Sequence, residues 1–188
     1  MIVDVFVEIP QGSQNKYEVD HATGRIYLDR MLFTSTVYPA DYGFVPETLA
    51  EDGDPIDAMV LVAEPTFPGC QVSARPVGVF WMDDEHGPDA KLLCVPAADA
   101  RLDHVRDIGD ISTHQLKEIE HFFDVYKDLE HGKSTSTRGW GDASQARLAL
   151  QDAYARYAAA PEHAPHEQVG SAEWANRRRS FGGEQPSG

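Results

Sequence analysis

Cysteine is scarce: Cys70 and Cys94 are the only two, without Cys-x-x-Cys spacing. That excludes a disulfide framework and a thiolate zinc site, and leaves buried, reduced thiols as the expectation. Long apolar runs are missing too, none approaching the roughly 20 residues of a membrane-spanning helix. The opening MIVDVFVEIPQG carries acids at Asp4 and Glu8, no basic flank and no small-residue cleavage site. It does not read as a secretion signal, so the expected address is cytoplasmic, with no membrane partner. Positive charge is the third shortage, with 16 Lys and Arg against 31 Asp and Glu and a net charge of −15 at pH 7. Nucleic acid is bound when Lys and Arg neutralise its phosphates and displace their counterions, so this acidic surface should repel it, and nucleic acid is not an expected partner. An acidic protein that handles anions needs metal cations between them. No internal repeat is found.

What remains is ordinary globular composition, 41% hydrophobic and 25% charged over 188 residues, enough for one core. The first half punctuates as strands. IVDVFVEI (2–9) alternates through Val3, Val5 and Val7, RIYLDR (25–30) follows a turn, and AMVLVAE, QVSARPVGVFWM and KLLCVPA complete five candidates. The second half switches to helical period. One stripe over 112–130 runs through Leu116, Ile119, Phe122 or Phe123, Tyr126 and Leu129, opened by a Ser112–Gln115 capping box. A second over 142–160 uses Ala146, Leu150, Ala153, Tyr154 and Tyr157. The expected fold is α+β, mainly β: a five-stranded OB-like closed β-barrel with two C-terminal helices packed outside. Residues 1–160 form a single domain, and 161–188, rich in Pro, Gly, Glu and Ser and carrying NRRRS, a flexible extension.

Residues 52–57, DGDPID, place three carboxylates in six positions immediately before the apolar AMVLV. Pro55 biases Asp54 toward an extended conformation, which would align Asp52 with Asp54, with Gly53 keeping the space between them open. Asp57 returns at the start of a strand. Three converging carboxylates repel unless a hard divalent cation sits among them. Asp-Gly and Asp-Pro also spell a plain solvated turn. An EF-hand is excluded, since its loop wants Gly sixth and Glu twelfth, where Asp57 and Ala63 stand. The company of the cluster favours chemistry. DDEHGPDAK adds Asp83, Asp84, Glu85, Asp89 and Lys91, NKYEVD and LDR add Lys16, Glu18 and Arg30, and YPADYG adds Tyr38 and Tyr42. Carboxylates for metals, fixed cations and tyrosine hydroxyls together describe a site for a small, highly charged phosphate. His21 and His86 in the acidic turns read as solvent-exposed side chains.

This combination resembles the family I soluble inorganic pyrophosphatases. Their Asp-x-Asp-[Pro/Glu]-[aliphatic]-Asp-[apolar] signature reads here as Asp52-Gly53-Asp54-Pro55-Ile56-Asp57-Ala58. EIP, KYEVD, YPADYGFVPETL, ARPVG, DEHGPDAKLLCVP, DHVRDIGD and HFFDVYKDLEHGK follow the family's order over residues 1–158, in a pattern closest to actinobacterial enzymes. The resemblance implies Mg²⁺-dependent hydrolysis of inorganic diphosphate to two orthophosphates by in-line attack of water, without a phosphoenzyme. It implies Asp52, Asp57, Asp84 and Asp89 as metal ligands, with Glu8 reaching a further metal. Asp54 matches the acid that orients and deprotonates the attacking water, a role sometimes assigned to Asp89. Lys16, Arg30, Tyr42, Tyr126 and Lys127 match phosphate-holding groups, and Glu18, Tyr38 and Lys91 the supporting network. Several Mg²⁺ per site are implied, with Mn²⁺ or Zn²⁺ as substitutes, Ca²⁺ as an inhibitor, and a homohexamer. The polar STSTRGW (134–140) departs from the family pattern. Two alternatives are an OB-like nucleic-acid-binding barrel, opposed by the net charge, and a cation-binding structural protein, which leaves Lys16, Arg30, Lys127 and the tyrosines unexplained.

Overall fold

The computed structural model describes residues 1–85 and 87–160. The extension 161–188 and His86, read above from sequence, lie outside the described residues. The strands are β1 Val3–Ile9, β2 Asn15–Asp20, β3 Arg25–Met31, β4 Asp41–Phe44, β5 Asp57–Val60, β6 Gln71–Asp84, β7 Gly87–Pro96 and β8 Thr135–Asp142. Helix α1 spans Thr113–Val125 and α2 spans Ala143–Ala159. No described helix is long and apolar enough to cross a membrane.

Five strands close a ring in the order β1-β4-β5-β7-β6, with β6 pairing back to β1, and β8 joins the outer side of β6. The expected barrel is therefore present, with one change of membership. RIYLDR, as β3, pairs only with β2 in a separate hairpin, and the fifth place goes to β4 from the Tyr- and Gly-rich stretch. All four residues of β4 are buried, so it has no polar–apolar alternation to read. Its Gly43 has a definite job. A Cβ there would stand 1.9 Å from the Phe6 carbonyl oxygen, so only glycine lets β1 approach this closely.

β6 serves two edges because it bends. Gln71–Ala74 pair with β1, and from Gly78 onward the strand pairs with β8. Between them, the register against β7 slips from Pro76 to Gly78, a bulge that accommodates a proline unable to donate a ladder hydrogen bond. Polar STSTRGW proves to be most of β8, held by strand pairing and by the Trp140 ring 4.8 Å from Phe80.

Period-2 alternation sorts the ring into two layers. Ala58, Val60, Leu92 and Cys94 pack in one cluster with Ala146, Leu150 and Ala153 of α2. Met59, Leu61, Leu93, Val95, Phe80 and Met82 pack in the other with Ile119, Phe122 and Phe123 of α1. The helices depart from their sequence reading at the ends. α1 stops at Val125, so Leu129 lies off the stripe and is 66% exposed. Ser112 is the N-cap residue, but its hydroxyl makes no capping bond, and the predicted box with Gln115 does not form. α2 has the true box, with the Asp142 carboxylate accepting from Ser144 and Gln145 amides and Gln145 accepting from the Asp142 amide. Tyr154 faces outward, leaving Ala146, Leu150 and Ala153 as its apolar contact. Of the two thiols, Cys94 is buried as expected, whereas Cys70 is only half-buried.

Candidate active site

The layer beneath α1 ends in charge. Along β7 the row Val95, Leu93 continues to Lys91 and Asp89, along β5 Met59 continues to Asp57, and along β6 Met82 continues to Asp84. Asp57 sits directly across the parallel pairing from Lys91, and Tyr42 across from Met59. Lys91, only 2% exposed, donates to Asp57 Oδ2 at 2.7 Å, to both oxygens of Asp89 at 2.8 Å and to Tyr42 Oη at 2.9 Å. The Tyr42 hydroxyl in turn donates to Asp57. Burial by itself would push the Lys91 ammonium down, but Asp57 and Asp89 override it and hold the group charged, well above the usual lysine range. Burial raises the Asp89 carboxyl, with Lys91 opposing. Tyr38, Phe122, Phe123 and Tyr126 wall this corner, with Tyr38 and Tyr42 ring centroids 5.3 Å apart.

DGDPID enters this corner as a turn. Gly53 adopts φ +94°, where other residues are strained, and no atom lies within 4 Å of a Cβ placed there. The glycine is needed for its backbone and does not clear space between side chains, and the extended arrangement expected of Asp52 and Asp54 gives way to the Asp54 amide donating to Asp52 Oδ1 at 3.1 Å. Asp54 is exposed. Asp52 is likewise exposed at the surface, but partial desolvation raises its carboxyl to about 6, and Asp57, Asp54 and Asp89 add repulsion while the Asp54 amide opposes them.

The β2–β3 hairpin supplies a second wall. Lys16 and Arg30 face each other across it. Lys16 pairs with Glu18, which also accepts from Tyr27 Oη at 2.8 Å. Arg30 pairs with Asp29, and its Nε and Nη2 both donate to Glu130 Oε1 at 3.0 Å. Glu8 accepts the Val19 amide at 2.9 Å, and its burial dominates that bond, raising its carboxyl to about 8. The turn after α1 supplies the third wall. Ending the helix at Val125 lets Tyr126 stack on Phe122 while Lys127 donates to Asp84 Oδ2 at 3.1 Å and Glu85 Oε2 at 3.0 Å. Burial opposes the charge on Lys127, but Tyr126, Glu85 and Asp84 hold it up to about 12. Tyr126 packs on Phe122 and Phe123 with the Lys127 ammonium 5.6 Å from its ring centroid, and burial pushes its hydroxyl up while Lys91 and Lys127 oppose that shift.

The residues that the resemblance names thus lie near one another, whereas Asp83, one position off the Met82–Asp84 row of β6, lies 2.9 Å from Arg138 Nε instead. Sequence reasoning missed Glu130 and Asp29, the Arg30 partners, and Lys133, whose Nζ lies 3.5 Å from Glu85 Oε1. Among the described residues no three acidic or imidazole groups are yet spaced to grip one ion. Lys91 occupies the space between Asp57 and Asp89, and Lys127 holds Asp84 to Glu85. The donor set still fits a hard divalent cation. It is carboxylate oxygen throughout, it is desolvated enough to raise Asp52, Asp89 and Glu8, and Asp57 and Asp89 are already gathered about one stand-in cation, the Lys91 ammonium.

A sequence model of the family described as "Pyrophosphatase: Inorganic pyrophosphatase" matches residues 5–158. The inorganic pyrophosphatase of Streptomyces coelicolor is 57% identical over 157 residues, 84% of this chain and 96% of its own. That of Corynebacterium efficiens is 55% identical over 159 residues, covering 85% of this chain and all of its own. The crystal structure of the Thermus thermophilus inorganic pyrophosphatase superposes with a TM-score of 0.82 at 48% identity, covering 84% of this chain and 91% of that one. A closed five-stranded ring carrying this set of carboxylates, cations and tyrosines, matched over nearly all the described chain, makes it a member of the inorganic pyrophosphatase family.

Proposed function

We infer that the inorganic pyrophosphatase activity of this chain, hydrolysis of inorganic diphosphate to two orthophosphates, resides at the corner where β5, β6 and β7 end. One observation carries this reading: Asp57, Asp89 and Tyr42 converge at hydrogen-bond distance on the buried Lys91, beside Tyr126 and Tyr38, which feel the charges of Lys16 and Lys127 and of Arg30 respectively. Asp52, Asp57, Asp84 and Asp89 hold divalent ions, and Glu8 reaches a further one. Mg²⁺ is the working ion, several per site, with Mn²⁺ or Zn²⁺ able to replace it. Bound there, divalent ions supply charge that acidifies a neighbouring water and offsets the charge of the diphosphate. Asp54, exposed beside Asp52, orients the attacking water and accepts its proton, with Asp89 as the second acceptor at hand. Lys16, Arg30, Lys127, Tyr42 and Tyr126 hold the phosphates in line with that water and stabilise the leaving group, so no phosphoenzyme forms.

Support comes from partners. Glu18 fixes Lys16, Glu130 and Asp29 fix the Arg30 guanidinium, and Tyr38 packs behind Tyr42. Residues 1–160 constitute the catalytic domain. The chain works in the cytoplasm as a homohexamer, a state that light scattering reads directly.

Replacing Mg²⁺ by Ca²⁺ tests the ligand assignment. Ca²⁺ is larger and accepts looser geometry than Mg²⁺, so it occupies the carboxylates without aligning water and phosphate. Orthophosphate release in Mg²⁺ is expected to fall steeply as Ca²⁺ is added. Activation by Ca²⁺ would remove the assignment.

A further inference from the structure

Lys91 is the most deeply enclosed cation beside the reaction centre. Its ammonium has three protons and meets four oxygens: Asp57 Oδ2, Asp89 Oδ1, Asp89 Oδ2 and Tyr42 Oη, at 2.7 to 2.9 Å. The rings of Tyr42 and Phe123 close over it, centroids 5.5 and 5.4 Å away. An all-oxygen shell around a buried positive charge is the environment a hard cation takes. Without a counter-charge, Asp57 and Asp89 would repel each other on adjacent strands.

We propose that Lys91 is a resident counter-ion which keeps the ligand pair Asp57–Asp89 assembled when no metal is bound and yields part of that contact when a divalent ion enters. Lys91 is thus a positioning residue that acts through the two carboxylates. It preforms the site and, as a competing cation, also sets a ceiling on metal affinity. The proposal rests on the reading above that Asp57 and Asp89 are metal ligands.

Two opposed changes in one variant mark this role. Lys91→Met keeps the length and loses the charge. Stripped of metal by chelator, the variant is expected to unfold at lower temperature than the unaltered chain. In calorimetric titration without substrate, it is expected to bind the first Mg²⁺ about tenfold more tightly, since a unit positive charge has left the ligands. Lower stability with unchanged Mg²⁺ affinity would mean that Lys91 only packs, and weaker binding would mean that it orients ligands; either result overturns the proposal. Should the variant not fold without metal, nitrogen-15 NMR of the Lys91 ammonium in the unaltered chain decides. Its resonance is expected to move on Mg²⁺ addition, and a resonance unmoved at saturating Mg²⁺ overturns the idea. If the unaltered chain binds no Mg²⁺ at all, the ligand assignment itself falls and takes the proposal with it.

Discussion

Asp54→Asn is expected to lower kcat for diphosphate by about 10²–10⁴-fold while leaving the fold intact, the range that loss of a positioned general base covers. The loop explains why the two effects separate. Asp54 is exposed, and the turn it belongs to is held by backbone groups, with the Ala50 amide donating to the Asp54 carbonyl at 2.7 Å and the Asp54 amide to Asp52 at 3.1 Å. Asparagine preserves these bonds and the side-chain shape but cannot take up a proton at neutral pH. Steady-state kinetics at saturating Mg²⁺ and substrate, beside a thermal unfolding curve, give both numbers. Turnover equal to that of the unaltered enzyme would remove Asp54 from the reaction.

Asp89→Ala is expected to do what Asp54→Asn does not: abolish turnover and also destabilise the metal-free protein by about 3 kcal/mol. Asp89 provides two of the four oxygens around the Lys91 ammonium, and both partners are well enclosed, with side chains 12% and 2% exposed. Removing one partner of a buried pair leaves the other's charge poorly compensated, here by Asp57 and Tyr42 alone. Denaturant unfolding in chelator measures the loss. A midpoint unchanged from the unaltered chain would show that the Lys91–Asp89 pair contributes nothing to the fold.

What the sequence revealed, and what it hid, follows from how far each residue's role depends on its neighbours in space. Val3, Val5 and Val7 alternate against an exposed Asp4, and β1 was legible for that reason. β4 is buried on both sides and only four residues long, so nothing local distinguishes Asp41–Phe44 from a loop. β8 reads as polar because its residues are held by pairing with β6, including a register shift next to Gly139 at φ +86°. The site residues that carry sequence-local signatures, Asp52, Asp54, Asp57, Asp84, Asp89, Lys16 and Arg30, all arrive in one corner. Glu130 gave no such sign. It lies in the turn after α1, and its importance comes from an arginine 100 positions earlier in the chain. Gly53 was misread for a related reason, because a sequence shows that a glycine is present but not whether space or a positive φ requires it.

Orthophosphate release from inorganic diphosphate tests the central claim most directly. With Mg²⁺, the purified protein is expected to yield two orthophosphates for each diphosphate consumed, to stop when chelator is added and to resume when Mg²⁺ is restored in excess. Failure to release orthophosphate in saturating Mg²⁺, from protein shown to be folded, would contradict the account.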